Sequence, residues 1–203
     1  LSQNYLTDKY IHKMCEKYGI ENYTINTDGS IDVDGNVNLS YKGLTKLPLK
    51  FNHVSGGFWC AENKLTTLEG GPQSVGGYFD CGFNKVTSLL GGPKLVVGDF
   101  LCDHNNLTTL EGGPQSVGDY FVCRTNKILT FDGAPNHVGG NFLCDDNPIE
   151  NIWYLFKDYS KVELLNDLDP IRGKDLLMDR FNTFLSMIGL DEVENVEGYN
   201  CIN

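Results

Sequence analysis

Cys60, Cys81, Cys102, Cys123 and Cys144 recur at intervals of 21 residues. A regular column of thiols invites a metal or a disulfide reading. Same-column side chains on adjacent parallel strands stand about 4.8 Å apart, wider than the usual Cβ separation of a disulfide. No Cys-x-x-Cys pair and no Cys/His spacing suits zinc. The column reads instead as small apolar residues at an inward position. Seven Cys without pairing logic favour a reducing compartment. Cys201 has nothing basic close in sequence to lower its pKa and reads as a tolerated surface residue. His12, His53, His104 and His137 are scattered, with His53 and His137 expected in turns, and no Ser or Cys is signalled as a triad partner. Asp32, Asp34 and Asn36 have the spacing of a calcium loop, but Val37 and Gly43 stand where that loop needs Gly and Glu. They read as hairpin and turn residues. The Gly-Gly pairs are no dinucleotide fingerprint, because no helix follows them. No catalytic residue, metal site or cofactor is expected.

The elements that position these residues follow from the same period. Phe58, Phe79, Phe100, Phe121 and Phe142 each precede their Cys by two, and Asn63, Asn84, Asn105, Asn126 and Asn147 each follow by three. Pro72, Pro93, Pro114 and Pro135 mark a turn, and Leu39 falls one period before Cys60. Leu65–Phe79 and Leu107–Phe121 match at 14 of 15 positions, which is duplication. The unit Val75–Leu89 places Phe79 and Cys81 inward on a short strand, closes it with Asn84, whose side chain can bond neighbouring turns, and returns Val86 and Leu89 to the core. The pattern apolar-x-apolar, two residues, Asn, one residue, apolar resembles a leucine-rich repeat. Gly-Gly-Pro in the return segment excludes a helix there, so the convex side is expected to be extended or irregular.

The expected fold class is an α+β repeat solenoid, with a parallel leucine-rich-repeat sheet of six strands roughly 25 Å long. A solenoid needs closed ends. Residues 1–35 supply an N-terminal cap, with a helix over Leu6–Tyr18 stopped by Gly19 and a hairpin over Tyr23–Val33 around Asp28-Gly29. Residues 36–148 hold six repeats. Residues 149–203 read as a C-terminal helical cap, with helices over Ile149–Tyr159 and Arg172–Ile188 and an acidic stretch from Asp191 without clear structure. Leu176, Leu177, Phe181, Phe184, Leu185 and Ile188 are expected to cover the last repeat.

Ile31-Asp32-Val33-Asp34-Gly35 leading to Leu44-Thr45-Lys46-Leu47-Pro48, the G-G-P-x-x-V-G-G units, and Asn147-Pro148-Ile149 with Ile152-Trp153 resemble the small leucine-rich-repeat proteins of tailed bacteriophages. The resemblance covers nearly the whole chain. It implies a viral protein located in the cytoplasm of an infected bacterial host or in the virion. Some secreted bacterial effectors couple similar short repeats to a large ubiquitin-ligase domain, for which the residues after Pro148 are too few.

The chain has 203 residues, 27 acids and 16 bases, for a net charge of −11. That argues against a nucleic-acid partner, which needs a basic patch. No apolar run is long enough to span a membrane and no signal peptide is recognisable. Residues 149–203 carry 11 of the acids and 5 of the bases, a solvated helical face or a second interface.

The concave face is the expected binding surface. Asn38, Trp59, Asp80, Leu101, Val122 and Leu143 point outward between the inward residues. Ser40, Ala61, Gly82, Asp103, Arg124 and Asp145 follow the inward column, and Tyr41, Glu62, Phe83, His104, Thr125 and Asp146 come next. Tyr78, Asp99 and Tyr120 precede it. The candidate partner-binding residues are Trp59, Tyr78, Asp80, Phe83, Leu101, Asp103, Tyr120, Val122, Arg124 and Leu143. An apolar patch with aromatic anchors and a polar rim is how protein interfaces are built, and Asp80, Asp99, Asp103, Asp145 and Asp146 rim this one. The expected function is a non-enzymatic protein-interaction module that binds a host factor or defence component, with a virion structural or decoration role as the alternative. Self-association is left open, since an apolar sheet face can pair with its own copy.

Overall fold

The 21-residue unit folds as one turn of a coil with two short strands joined at a glycine corner. The computed structural model describes residues 2–149, 159–172 and 175–203. Helix α1 (Ser2–Tyr18) comes first and buries Ile11 and Cys15, with Met14 and Tyr18 partly covered on the same stripe. Gly19 ends it at φ 63°, while Ile20 N–H donates to the Cys15 carbonyl and Gly19 N–H to that of Glu16. Those two bonds close a Schellman cap, for which a residue without Cβ is preferred. Strands β1 (Tyr23–Ile25) and β2 (Ile31–Val33) then pair antiparallel.

From β2 onward the chain winds as a parallel β-solenoid. One sheet continues β1-β2 through β4 (Phe51–Val54), β6 (Ser74–Val75), β8 (Leu95–Val96), β10 (Ser116–Val117) and β12 (His137–Val138). The other contains β3 (Val37–Asn38), β5 (Phe58–Trp59), β7 (Phe79–Asp80), β9 (Phe100–Leu101), β11 (Phe121–Val122) and β13 (Phe142–Leu143). The return side takes the extended one of the two expected forms: the two-residue steps Ser74-Val75, Leu95-Val96, Ser116-Val117 and His137-Val138, each two residues past a Pro, pair in register with their neighbours. His53 and His137 lie in β4 and β12, so they belong to strands rather than to turns.

Phe58, Phe79, Phe100, Phe121 and Phe142 stack face to face inside, with centroids 5.7, 5.2, 5.2 and 5.0 Å apart. Those separations follow from strands spaced near 4.8 Å. Phe51 meets the first ring edge-on at 4.9 Å and Phe131 meets the last at 5.4 Å. Phe51 stands where later turns carry Pro, and Phe131 stands in the column of Leu68, Leu89 and Leu110.

The asparagine column binds turn to turn. Asn105 Nδ2 donates to the carbonyls of Cys81, Cys102 and Asp103, and its Oδ1 accepts from Val86 N–H at 2.9 Å. Asn84, Asn126 and Asn147 repeat the arrangement. Asn63 bonds the Leu39, Cys60 and Ala61 carbonyls and accepts from Lys42 and Leu44 N–H. Among the described residues no buried side-chain nitrogen or oxygen lacks a hydrogen-bond partner.

After the coil come α2 (Tyr159–Leu168), β14 (Ile171–Arg172), β15 (Asp175–Leu177), α3 (Met178–Met187) and β16 (Asn200–Ile202). The helix expected from Arg172 starts instead at Met178. Asp175–Leu177 is drawn into extended pairing, antiparallel with β14 and parallel with β16, which buries Leu176 between its neighbours. The tail from Asp191 is likewise not structureless, since Asn200–Ile202 is the third strand of this sheet. Leu176, Phe181, Phe184 and Leu185 are buried and join the continuous apolar core, with Ile188 partly covered against it. The helix expected over Ile149–Tyr159 lies outside the described residues between its first and last positions.

Asn105→Ala strands Val86 N–H in the interior and takes one of two donors from the carbonyls of Cys81, Cys102 and Asp103, and should lower the unfolding free energy by about 2 kcal/mol. Asn38→Ala, on the exposed first turn, should change it by less than about 0.5 kcal/mol. Urea denaturation monitored by circular dichroism measures both.

Candidate interaction surface

The residue directly before each ladder position adopts the left-handed conformation in six successive turns. Tyr41, Glu62, Phe83, His104, Thr125 and Asp146 have φ between 50° and 59°. In the first turn Lys42 occupies the Asn position and Tyr41 still takes this conformation. The turn thus belongs to the coil itself, and the asparagines satisfy the carbonyls it turns inward. Left-handed backbone costs a residue with a Cβ about 1 kcal/mol, and Gly or Asn is its usual occupant. None of the six is Gly or Asn, and all six are exposed. Tyr41 is 77 % exposed and Phe83 47 %.

Beside this column lies the outer face of the second sheet. Trp59, Leu101, Val122 and Leu143 sit there half-buried, so the apolar band expected to be open is partly covered. Trp59 accounts for its own covering. A Cβ on Gly57 would lie 2.3 Å from its ring, so the indole is laid back over the glycine corner. The Tyr78 ring occupies the same relation to Gly98, though the residue remains 50 % exposed, and Tyr120 is exposed too. The open aromatic members are therefore Tyr41, Tyr78, Phe83 and Tyr120.

The polar members form two groups. Arg124 Nε lies 2.6 Å from Asp145 Oδ2. His104 Nδ1 lies 2.8 Å from Asp103 Oδ2, and the His104 ring stacks on Phe83 with centroids 4.1 Å apart. Asp80 Oδ1 accepts from Gly82 N–H at 2.9 Å. Burial pushes the Asp80 carboxyl above its ordinary value, the Gly82 N–H opposes this, and the charges of Asp103 and Glu62 add to the rise. Asp99 Oδ1 accepts from Tyr120 N–H.

Of the sequence-derived candidates, Asp80, Phe83 and Asp103 come together around Gly82, while Arg124 pairs off with Asp145 further along. Tyr41, Glu62 and His104 belong to the same surface but were not among those candidates. Their signal is positional: each stands one residue before the ladder position. The left-handed turn stayed hidden because no Gly marks it.

The thiols and the carboxylates of Asp32 and Asp34 are engaged within the fold. The Cys60, Cys81, Cys102 and Cys123 thiols are buried, and burial raises their pKa values, which disfavours the nucleophilic thiolate. Asp32 and Asp34 spend their oxygens on Asn52, His53 N–H and Ser55 of the next turn. Cys201 is exposed, and its Sγ accepts from Val196 N–H. Among the described residues no group of three His, Cys, Asp or Glu side chains is placed to hold a metal ion, and no helix is long and apolar enough to cross a membrane. No protein-family model, curated protein or solved structure matches the chain.

A carboxyl whose pKa is raised by folding binds its proton more tightly in the native state. Stability therefore falls as pH rises from the ordinary value of 3.8 through the raised native one. Asp80→Asn keeps an acceptor for Gly82 N–H and removes the charge. Its melting temperature should exceed that of the parent near neutral pH, and the gain should vanish below about pH 3.5. Thermal melts across pH measure the difference.

Proposed function

We propose that this protein is a non-enzymatic leucine-rich-repeat module, encoded by a bacteriophage, that binds a host protein or defence component through the outer face of the second sheet and its left-handed rim. One observation carries the reading. Six consecutive turns place exposed Tyr, Glu, Phe, His, Thr and Asp at positions where Gly or Asn costs less. All six side chains are exposed, and apart from the Phe83–His104 stack and the His104–Asp103 bond, burial in the fold does not repay their strain of about 1 kcal/mol each. Contact with a partner does. The ladder of Asn63 to Asn147 and the inward Leu, Phe and Cys columns support the leucine-rich-repeat assignment. The Gly-Gly-Pro units and the closing Asn147-Pro148-Ile149 support the phage origin.

The test is affinity capture from bacterial lysate, comparing the parent with Tyr41→Ala/Phe83→Ala and with a control, Glu69→Ala/Glu111→Ala, on the return side. A partner retained by parent and control and reduced at least about tenfold by the rim variant supports the reading, as removal of two aromatic anchors implies. A partner held equally by all three places the interface elsewhere. Capture failing from lysate but succeeding from purified phage particles replaces the host partner with a virion one.

A further inference from the structure

Between the left-handed rim and the Gly-Gly-Pro corner the coil has a third side. Backbone bonds hold it in register: the Lys64, Lys85, Asn106 and Lys127 N–H groups donate to the Leu44, Leu65, Val86 and Leu107 carbonyls of the turns before. Leu65, Val86 and Leu107 are buried, so by alternation Lys64, Lys85 and Lys127 face outward, with Thr66, Thr87 and Thr108 exposed two residues on. The first turn adds Lys42 and Lys46, and all five lysines are exposed. Four gaps of about 4.8 Å make this flank roughly 19 Å long.

The flank is the basic side of an acidic chain. Residues 42–46, 63–67, 84–88, 105–109 and 126–130 hold these five lysines and no Asp or Glu, against a net charge of −11 for the whole. The coil's two other lysines are engaged: Lys50 pairs with Asp28 at 2.6 Å, and Lys94 donates to the Gly112 carbonyl. Among the described residues no salt bridge engages the five on the flank. The acids that border it, Glu62 and Asp146 on the rim and Glu69, Glu111 and Asp132 at the far corner, leave them unpaired too.

A complement lies in the C-terminal region. Residues 181–203 contain no Lys or Arg, and Asp191, Glu192, Glu194 and Glu197 fall within seven residues. All four are exposed, and among the described residues none forms a salt bridge. In the same stretch Met187, Leu190 and Val193 are 60, 43 and 37 % exposed. The segment is anchored: Asn182 Oδ1 accepts from Val193 N–H at 2.9 Å, Asn182 Nδ2 donates to the Val193 carbonyl, and Val196 is buried. Lysine lays its alkyl stem along apolar surface while its ammonium stays with charge and water. An acidic segment interleaved with apolar side chains therefore matches a lysine column interleaved with threonine methyls.

We propose that the protein associates head to tail, with the acidic segment 191–197 of one copy docked on the lysine flank of the next. Two different surfaces meet, so the contact is heterologous, and each copy gives one contact and receives another. Copies of net charge −11 repel one another in general, and a face with a local basic excess is where an acidic segment of a second copy settles. The contact does not use the rim, so it stands or falls apart from the partner reading above.

Sedimentation velocity on the intact protein, from about 10 μM to about 1 mM, reads the contact. The average mass should rise with concentration in about 0.15 M salt and return toward the monomer in about 1 M salt, where the Debye length is about 3 Å. Lys64→Gln/Lys85→Gln and Glu192→Gln/Glu194→Gln should each weaken association at least about tenfold, whereas Glu16→Gln/Glu21→Gln on the N-terminal cap should change it less than about twofold. An equimolar mixture of the first two variants keeps one intact flank and one intact segment, so it should form a heterodimer and nothing larger. Circular dichroism establishes that each variant is folded. A parent that stays monomeric throughout overturns the proposal. So does association that survives salt and both variants, which places the contact elsewhere, and so do two monomeric variants that yield no heterodimer when mixed. Loss in the flank variant alone overturns the pairing with 191–197. Tyr41→Ala/Phe83→Ala should leave self-association unchanged, and a loss there would move the contact to the rim and overturn the flank.

Discussion

From the second turn on, the corner of the coil points two successive backbone carbonyls inward, and one asparagine amide donates to both. In the third turn these are the carbonyls of Cys81 and Gly82, both bonded by Asn84. The same amide reaches back to Cys60 of the preceding turn, and its oxygen accepts from Leu65. A buried carbonyl without a partner costs on the order of 1–3 kcal/mol. The column from Asn63 to Asn147 thus makes a sharp turn tolerable inside an apolar core. The stacked phenylalanines and buried thiols can then repeat at strand spacing.

That turn has a consequence on the outside. Its corner residue is left-handed and its side chain projects into solvent, so the coil presents one free position per turn along a straight rim. The fold constrains the backbone there and leaves the side chain's identity open. Adjacent strands add the half-buried outward column, and laid-back rings such as Trp59 over Gly57 smooth it. A surface built this way can vary residue by residue without disturbing the ladder beneath. The interior asparagines and phenylalanines recur with little change, while the rim runs Tyr, Glu, Phe, His, Thr, Asp.

The interior was legible in the sequence because it repeats. Phe, Cys and Asn at fixed offsets imply inward strand positions and a closing turn, and the structure places them so. The return-side sheet was not legible as a sheet: two-residue steps such as Ser74-Val75 and Leu95-Val96 are too short for a periodicity signal, and they become strands only through pairing with the turns on either side. Arg172–Ile188 carries helical spacing from its start, yet Asp175–Leu177 is claimed by β14 and by the distant Asn200–Ile202, a contact invisible to local pattern. On the surface, alternation identified which residues face outward but not how far they stand open. Trp59 is partly covered because of a glycine two residues earlier.

The direct measurement is of the strain in the rim. Thr125 is β-branched and left-handed at φ 50°, so Thr125→Asn should raise the unfolding free energy by about 1 kcal/mol, read as a shifted urea midpoint at unchanged slope. Tyr41→Asn and Glu62→Asn should follow in the same direction. A fall in stability for all three would mean that these side chains sustain the fold through contacts of their own, and would contradict the view that the rim carries a cost repaid only on binding.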